Sequence, residues 1–346
     1  MRPMSELRTV EWVNDHVRMI DQTQLPERVV YVNLKDYRQV SRAIRGMVVR
    51  GAPAIGVAAA MGMALAVHTN RSKSRERILK ELEVAAESLR GSRPTAQNLF
   101  WAVDRILRRA HDASVGEDVA ALVVEEAERM AEEDVQANLS IGRYGADLIA
   151  DGDQVLTHCN TGTLATVNYG TALAPIRTAI RQGKRVRVIA TETRPRLQGA
   201  KLTTYELLSD KIPVTLIVDG AAGYVIRRGM VQKIIVGADR ITRSLVANKV
   251  GTYLIALAAQ ASNIPFYVAA PASTFDLRRS SSDVKIEERD AKEVTHINGR
   301  RIPPRGVPVY NPAFDLTPVE LVKGFITEKG VFTSDRLTTE PTFIQA

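Results

Sequence analysis

Cys159 is the only cysteine in the chain, and it closes the run Val155-Leu156-Thr157-His158-Cys159, which reads as a buried strand. Asn160-Thr161-Gly162 then breaks the strand and reads as the opening of a helix. In an open α/β sheet, ligands bind in the crevice outside the carboxyl ends of the strands. A thiol there, near backbone N–H groups at a helix N-terminus, can have a lowered pKa and act on a substrate. Free cysteine is also a common inert core residue, so position alone leaves both readings open. Asp239 is the matching acid, delivered by a second apolar run, Lys233-Ile234-Ile235-Val236-Gly237-Ala238. A carboxyl so placed can be desolvated, hold its proton near neutrality and act as a general acid. A salt bridge to Arg240 or a neighbouring lysine is the alternative.

Further polar groups follow other strand or loop ends. Arg50-Gly51-Ala52-Pro53-Ala54 leads into an apolar helix, where a guanidinium and uncapped N–H groups can bind an anion; a plain loop-to-helix junction has the same pattern. Arg93 before Pro94, Gln198-Gly199 after the Arg194–Arg196 run, and Asn248-Lys249 at what reads as another helix start are candidate phosphate or hydroxyl ligands. Asp219 reads as a helix N-cap. His158 neighbours Cys159, but adjacent strand residues point to opposite faces, so it reads as a packed core histidine. The five histidines have no metal-ligand spacing. No P-loop or G-x-G-x-x-G follows a strand. The expectation is therefore no metal and no cofactor.

The elements that must position these groups change character along the chain. Short strand-like pieces (9–13, 17–20 and 29–33) precede helical patterns at 37–48, 54–68, 74–89, 95–110 and 117–144. After Asp151, apolar runs at 155–158, 185–190, 214–218, 233–236 and 266–269 alternate with helical segments at 164–181, 200–208, 221–228 and 248–261. That alternation implies βαβ units and a parallel sheet covered by helices. The division expected is a mainly helical N-terminal domain over 1–124 and a parallel-sheet α/β domain over 125–346, meeting within the helix at 117–144. A polar break lies at 280–283, and the Pro-rich stretch 302–312 reads as an extended loop.

Composition narrows the classes. At 346 residues, with 45% hydrophobic and 25% charged, the chain has the balance of an ordinary globular protein of two domains. The net charge of +8 favours anionic partners. Basic residues are interspersed with acids and only 5% are aromatic, so stacking platforms for nucleic acid are sparse and a phosphorylated metabolite is favoured. One cysteine leaves no intrachain disulfide framework and fits a reducing cytoplasm. No apolar run reaches the roughly eighteen residues of a membrane span, and no signal peptide is evident.

Several segments recur together and in order: 48–56, Arg93-Pro94-Thr95-Ala96, Thr157-His158-Cys159-Asn160, Glu192-Thr193-Arg194-Pro195 with Leu197-Gln198-Gly199, Gly237-Ala238-Asp239-Arg240, 248–253, 286–290 and 309–315. This set closely resembles the family that contains methylthioribose-1-phosphate isomerases, ribose-1,5-bisphosphate isomerases and the regulatory subunits of translation initiation factor 2B, with the methylthioribose branch nearest. The resemblance covers nearly the whole chain. It implies a helical N-terminal domain, a Rossmann-like C-terminal domain and a homodimer. It also implies an aldose–ketose isomerase of methionine salvage, with Cys159 and Asp239 catalytic. Arg50, Gly51, Ala52, Arg93, Gln198, Asn248 and Lys249 fall on its substrate-binding positions. The chain departs from the family pattern at Thr163, where alanine is usual, and in the loop 241–247, which lacks the usual Asn-Gly-Asp. The alternatives implied are a ribose-1,5-bisphosphate isomerase or a non-enzymatic regulatory subunit.

Overall fold

The computed structural model describes residues 3–69, 74–277 and 284–339, and its chain divides into two compact units. The first holds the residues up to Ser140 together with Thr161–Thr171; the second holds Ile141–Asn160 and the chain from Ala172 onward. The first unit extends along the long helix as far as Ser140. The reason is packing: Val123, Ala127, Met130 and Ala131 on that helix belong to the core of the first unit.

In the first unit, β1 (Val10–Val13), β2 (His16–Ile20) and β3 (Tyr31–Leu34) form an antiparallel meander. Helices α1 (Tyr37–Arg45), α2 (Ala52–Val67), α3 (Arg75–Arg90), α4 (Gln97–His111) and α5 (Val119–Ala146) follow. The Asp36 carboxylate caps α1 by accepting the Arg38 N–H. Helix α2, Ala52–Val67, is apolar all round and is accordingly central; α1, α3 and α4 pack against it.

The second unit is built on a seven-stranded sheet. Its strands are β4 (Gln154–Thr157), β5 (Arg187–Thr191), β6 (Val214–Ile217), β7 (Lys233–Val236), β10 (Phe266–Ala269), β14 (Gly324–Thr327) and β15 (Gly330–Phe332). The spatial order is β15-β14-β10-β7-β4-β5-β6, parallel throughout except for the antiparallel β14–β15 pair. The chain steps from β4 outward to β5 and β6, then returns to β7 on the other side of β4. Strands β4 and β7 therefore flank the topological switch point. Helices α6 (Leu173–Arg181), α7 (Thr204–Ser209), α8 (Ala222–Arg227) and α9 (Thr252–Ala261) follow β4, β5, β6 and β7 respectively. A second sheet, ordered β13-β9-β8, pairs β8 (Arg240–Ile241) and β13 (Phe314–Pro318) on either side of β9 (Leu245–Lys249). A hairpin of β11 (His296–Ile297) and β12 (Arg300–Arg301) follows the short α10 (Lys292–Thr295), and α11 (Ser334–Thr339) ends the described chain.

Three expectations are corrected. The segment 164–181 is not one helix: a 3-10 turn at Thr163–Ala165 is followed by irregular chain, and α6 begins only at Leu173. Tyr169 and Gly170 take positive φ, and the Thr166 hydroxyl donates to the Asn168 carbonyl, which a continuous helix does not permit. Cys159 is therefore not at a helix N-terminus. Residues 248–261 are not one helix either, because Asn248 and Lys249 end β9, and α9 starts after Gly251 at φ 105°. Strand pairing with β13, far along the chain, overrides the local pattern. The segment 200–208 opens with a π-helical turn, Gly199–Thr203, before α7. The stretch 302–312 is irregular, as read from its prolines. The polar break at 280–283 lies outside the described residues.

Candidate active site

Cys159 follows β4 and Asp239 follows β7, and these strands are adjacent and parallel, with Leu156 opposite Ile234. Neighbouring strands lie about 4.8 Å apart. The thiol-bearing and carboxyl-bearing turns thus leave the same edge of the sheet, at its switch point. Asp239 starts the β8–β9 hairpin, its N–H donating to the Ala247 carbonyl. Arg240 lies 3.9 Å from Asp276. The end of β9 carries Asn248 and Lys249, both buried. Asn248 donates its amide to the Thr252 hydroxyl at 3.1 Å. Lys249 donates to the Ala313 carbonyl and lies 4.7 Å from the Phe314 ring centroid.

The turn at Cys159 is strained. Its φ is 64°, a left-handed conformation that costs a non-glycine residue roughly 1–2 kcal/mol. Threonine hydroxyls meet it on both sides: Cys159 N–H donates to Thr193 Oγ1 at 2.9 Å, and Thr203 Oγ1 donates to the Cys159 carbonyl at 2.6 Å. Thr193 is held in turn by Asp219, whose carboxylate accepts the Thr193 and Arg194 N–H groups at 2.8 and 2.7 Å. Asp219 is therefore a clamp on the loop after β5 rather than a helix N-cap. In the same loop a Cβ on Gly199 would stand 1.7 Å from the Thr191 carbonyl oxygen, so only glycine fits. Gln198 precedes it, and among the described residues its buried Oε1 has no hydrogen-bond partner.

His158, the residue before Cys159, is buried. Its Nε2 donates to the Val250 carbonyl at 2.9 Å, which leaves Nδ1 to accept from the Thr191 hydroxyl at 2.6 Å. Burial holds its pKa down to about 4, against the Val250 bond and the Asp219 charge, so the ring is neutral and ties β4 to the turn that ends at Gly251. That turn is capped by Asp315, whose Oδ2 accepts the Gly251 and Tyr253 N–H groups at 2.6 and 3.2 Å. Burial pushes the Asp315 carboxyl up to about 6, although those N–H groups and the Lys249 charge pull it down.

The remaining expected ligands lie in the first unit. Gly51 is the N-cap of α2, at φ 96°, with no side-chain cap and a proline in the first turn. Ala52 is the first helical residue, so the first-turn N–H groups have no side-chain acceptor from the cap position. Arg50 Nε donates to Gln22 Oε1 at 2.8 Å, and Gln22 in turn donates to the Leu164 carbonyl. Arg93 is nearly buried, with Nη1 3.4 Å from the Met47 sulfur. The structure thus brings Cys159, Asp239, Gln198, Asn248 and Lys249 to strand ends of the second unit. Arg50, Gly51, Ala52 and Arg93 belong to the first.

Thr193, Thr203 and Glu206 were not legible as site residues. Thr193 lay in a polar strand-end segment, but nothing marked its hydroxyl. Glu206 falls in the helical segment 200–208 with no mark of its own, and it is fully buried.

A profile of the Initiation factor 2 subunit family matches residues 48–334. A methylthioribose-1-phosphate isomerase of Geobacter metallireducens is 52% identical over 332 residues, covering 95% of this chain and 96% of the relative. Its counterpart from Thermosipho africanus is 50% identical, covering 93% and 94%. Among solved structures, 5-methylthioribose 1-phosphate isomerase from Pyrococcus horikoshii superposes with a TM-score of 0.90 at 43% identity, covering 98% of this chain and 96% of that one. A protein of Archaeoglobus fulgidus described as the delta subunit of translation initiation factor eIF-2B gives 0.87 at 47% identity, covering 99% and 100%. The profile match spans most of the chain and the relatives match it nearly end to end, and on that basis the chain belongs to the Initiation factor 2 subunit family.

Proposed function

We propose that this chain is an aldose–ketose isomerase that converts 5-methylthioribose 1-phosphate to 5-methylthioribulose 1-phosphate, a step of methionine salvage. The observation that carries the reading is the placement of a single thiol and a carboxyl after the two strands that flank the switch point. A phosphate on the anomeric oxygen masks the aldehyde, so the furanose ring must open before hydrogen can move. Protonated Asp239 donates to the ring oxygen as the ring C–O bond breaks. Hydrogen then passes from C2 to C1, either as a proton through an enediolate with Cys159 as base, or as a hydride with Cys159 stabilising the transition state. In both routes the C2 hydroxyl gives its proton back to the Asp239 carboxylate as the C2 carbonyl forms. Arg50, Gly51 and Ala52 serve as phosphate ligands, and Arg93, Gln198, Asn248 and Lys249 as further substrate ligands.

A second phosphate site could draw on Arg194, Arg196 and Lys201; the commitments of the two arginines, with Lys201 exposed, favour the methylthio substituent. A 5-phosphate would need a second cluster of donors, since a dianion buried without partners is costly. Arg196 is paired with Glu293 at 2.6 Å, and Arg194 donates to the Pro195 and Val294 carbonyls. The test is a direct assay on both sugars. The expected kcat/KM for methylthioribose 1-phosphate exceeds that for ribose 1,5-bisphosphate by at least roughly tenfold, about 1.4 kcal/mol of transition-state binding. The reverse order overturns the substrate assignment. Activity on neither moves the chain to the second reading, a non-enzymatic subunit, which the Archaeoglobus likeness favours.

The active species in this reading is a cytoplasmic homodimer. Helix α9 carries no charged residue, yet Tyr253, Leu254 and Leu257 are exposed on it. An apolar helix face open to water is the kind of surface a second subunit covers. Light scattering of Leu254→Lys against the parent chain tests this: a dimer in the parent and a monomer in the variant are expected, and a monomeric parent overturns it.

A further inference from the structure

The strain at Cys159 is matched by a polar apparatus that reaches well behind it. Thr203 donates to the Cys159 carbonyl and accepts the side-chain amide of Asn160 at 3.1 Å. That amide also donates to Glu206 Oε1 at 2.8 Å, while Glu206 Oε2 accepts from Arg177 at 2.8 Å. Arg177 is bound on its other side by Asp210, through Nε and Nη2, at 2.8 and 2.6 Å. Thr203 and Glu206 are wholly buried and Arg177 is 3% exposed. Removing any one partner leaves another buried polar group without its bond, so the chain Asp210–Arg177–Glu206–Asn160/Thr203 is stiff. From the neighbouring strand end, Asp219 holds Thr193, which takes the Cys159 N–H.

A left-handed non-glycine residue persists only where its surroundings over-determine it, and such residues cluster at functional sites. We infer that Thr193 and Thr203, backed by Asp219 and by the Glu206–Arg177 pair, are positioning residues that hold Cys159 in its left-handed turn and so aim the thiol at the substrate. Purely structural roles for the buried ion cluster and for Asp219 require no link from each of them to a peptide group of the same strained cysteine. Here each of those peptide groups has a threonine partner of its own. Neither threonine touches the reacting atoms in this account; both act through the backbone of Cys159. The inference rests on the isomerase reading only for its catalytic consequence.

Because Cys159 is the only thiol, alkylation by iodoacetamide reads its setting without any assay of activity. Thr203→Val removes the hydroxyl at nearly constant shape, and Thr203→Ser restores it. In the folded Val variant, kcat falls by at least ~10-fold while KM stays within about twofold, as misplacement of a reacting group produces. The midpoint of alkylation rate against pH moves by at least ~0.5 unit, and Thr203→Ser returns both quantities to the parent values. Thr193→Val, which removes the acceptor on the opposite side, gives an independent variant with the same expectation should Thr203→Val not fold. A folded Val variant with the parent's kcat and alkylation profile overturns the inference. If Cys159→Ser remains active, the isomerase assignment of the thiol fails, but the alkylation profiles still decide whether the threonines set it.

Discussion

Gly51 gives a perturbation whose size follows from geometry. Its backbone sits at φ 96° and ψ 136°, and an added Cβ would lie 2.5 Å from both Cα and O of Ala165 and 2.8 Å from its Cβ. Two costs attend Gly51→Ala. A positive φ with an extended ψ lies outside even the left-handed helical well and costs an alanine roughly 1–3 kcal/mol, and forcing a methyl into occupied backbone space costs roughly 1–3 kcal/mol more. Gly116 separates them, since it has φ 93° in the same unit and nothing within 4 Å of its built Cβ. Gly116→Ala should therefore show the conformational cost alone, and Gly51→Ala should be less stable by a further roughly 1–3 kcal/mol. Urea unfolding followed by circular dichroism measures the difference at constant m. Relief of the contact must shift the N-terminus of α2, so kcat/KM should also fall in Gly51→Ala and not in Gly116→Ala. Equal stability of the two variants would refute the argument that close backbone approach fixes glycine at this position.

Cys159→Ser and Asp239→Asn are each expected to lower kcat by at least ~10²-fold, the low end for a positioned proton-transfer group, with thermal midpoints close to the parent; full turnover in either removes that residue from the mechanism. Asp315 has a pKa raised from 3.8 to about 6, so the folded chain holds a proton there that the unfolded chain has released. Its contribution to stability is thus present below about pH 4 and is lost as pH rises through about 6, a change of roughly 3 kcal/mol. Asp315→Asn keeps an acceptor for the Gly251 N–H, and its stability relative to the parent should rise across that window; a flat difference from pH 4 to 7 contradicts the burial argument. Substrate deuterated at C2 should keep most of the label at C1 of the product if hydrogen moves as hydride, whereas wash-out to solvent, followed by NMR, would establish the enediolate route.

The five N-terminal helices were legible because each shows helical periodicity or, in α2, an unbroken apolar run that only a central helix can bury. The strands β4, β5, β7 and β10 were legible for a related reason: a parallel sheet covered on both faces leaves continuous apolar runs, whereas β6, at the sheet edge, shows an apolar run although none of its residues is buried. Strand ends then led directly to Cys159 and Asp239. What escaped depended on distant partners. Asn248 and Lys249 look like a helix start until β13, about 65 residues further on, pairs with them. The segment 164–181 is apolar enough for a helix, but Tyr169 and Gly170 turn it away. Asp219 has the local signature of a cap, and only the approach of the β5 loop makes it a clamp. Glu206 carries no local signal at all, since its burial is set by Arg177 and Asn160 on other elements.

The excursion of Thr161–Thr171 into the first unit has a consequence for the order in which a nascent chain can complete itself. The Thr9 hydroxyl donates to the Thr163 carbonyl, the Gln22 amide to the Leu164 carbonyl, and Ala165 closes over Gly51. All three contacts are supplied by residues made after β4. A ribosome that has released only the first 140 residues has released a helical unit with buried donors unsatisfied and its α2 entry uncovered. That unit can finish only once the first strand of the other has been synthesised. Expressed alone to Ser140, it should be a loose, protease-sensitive intermediate; supplying residues 161–171 in trans as a peptide should tighten it.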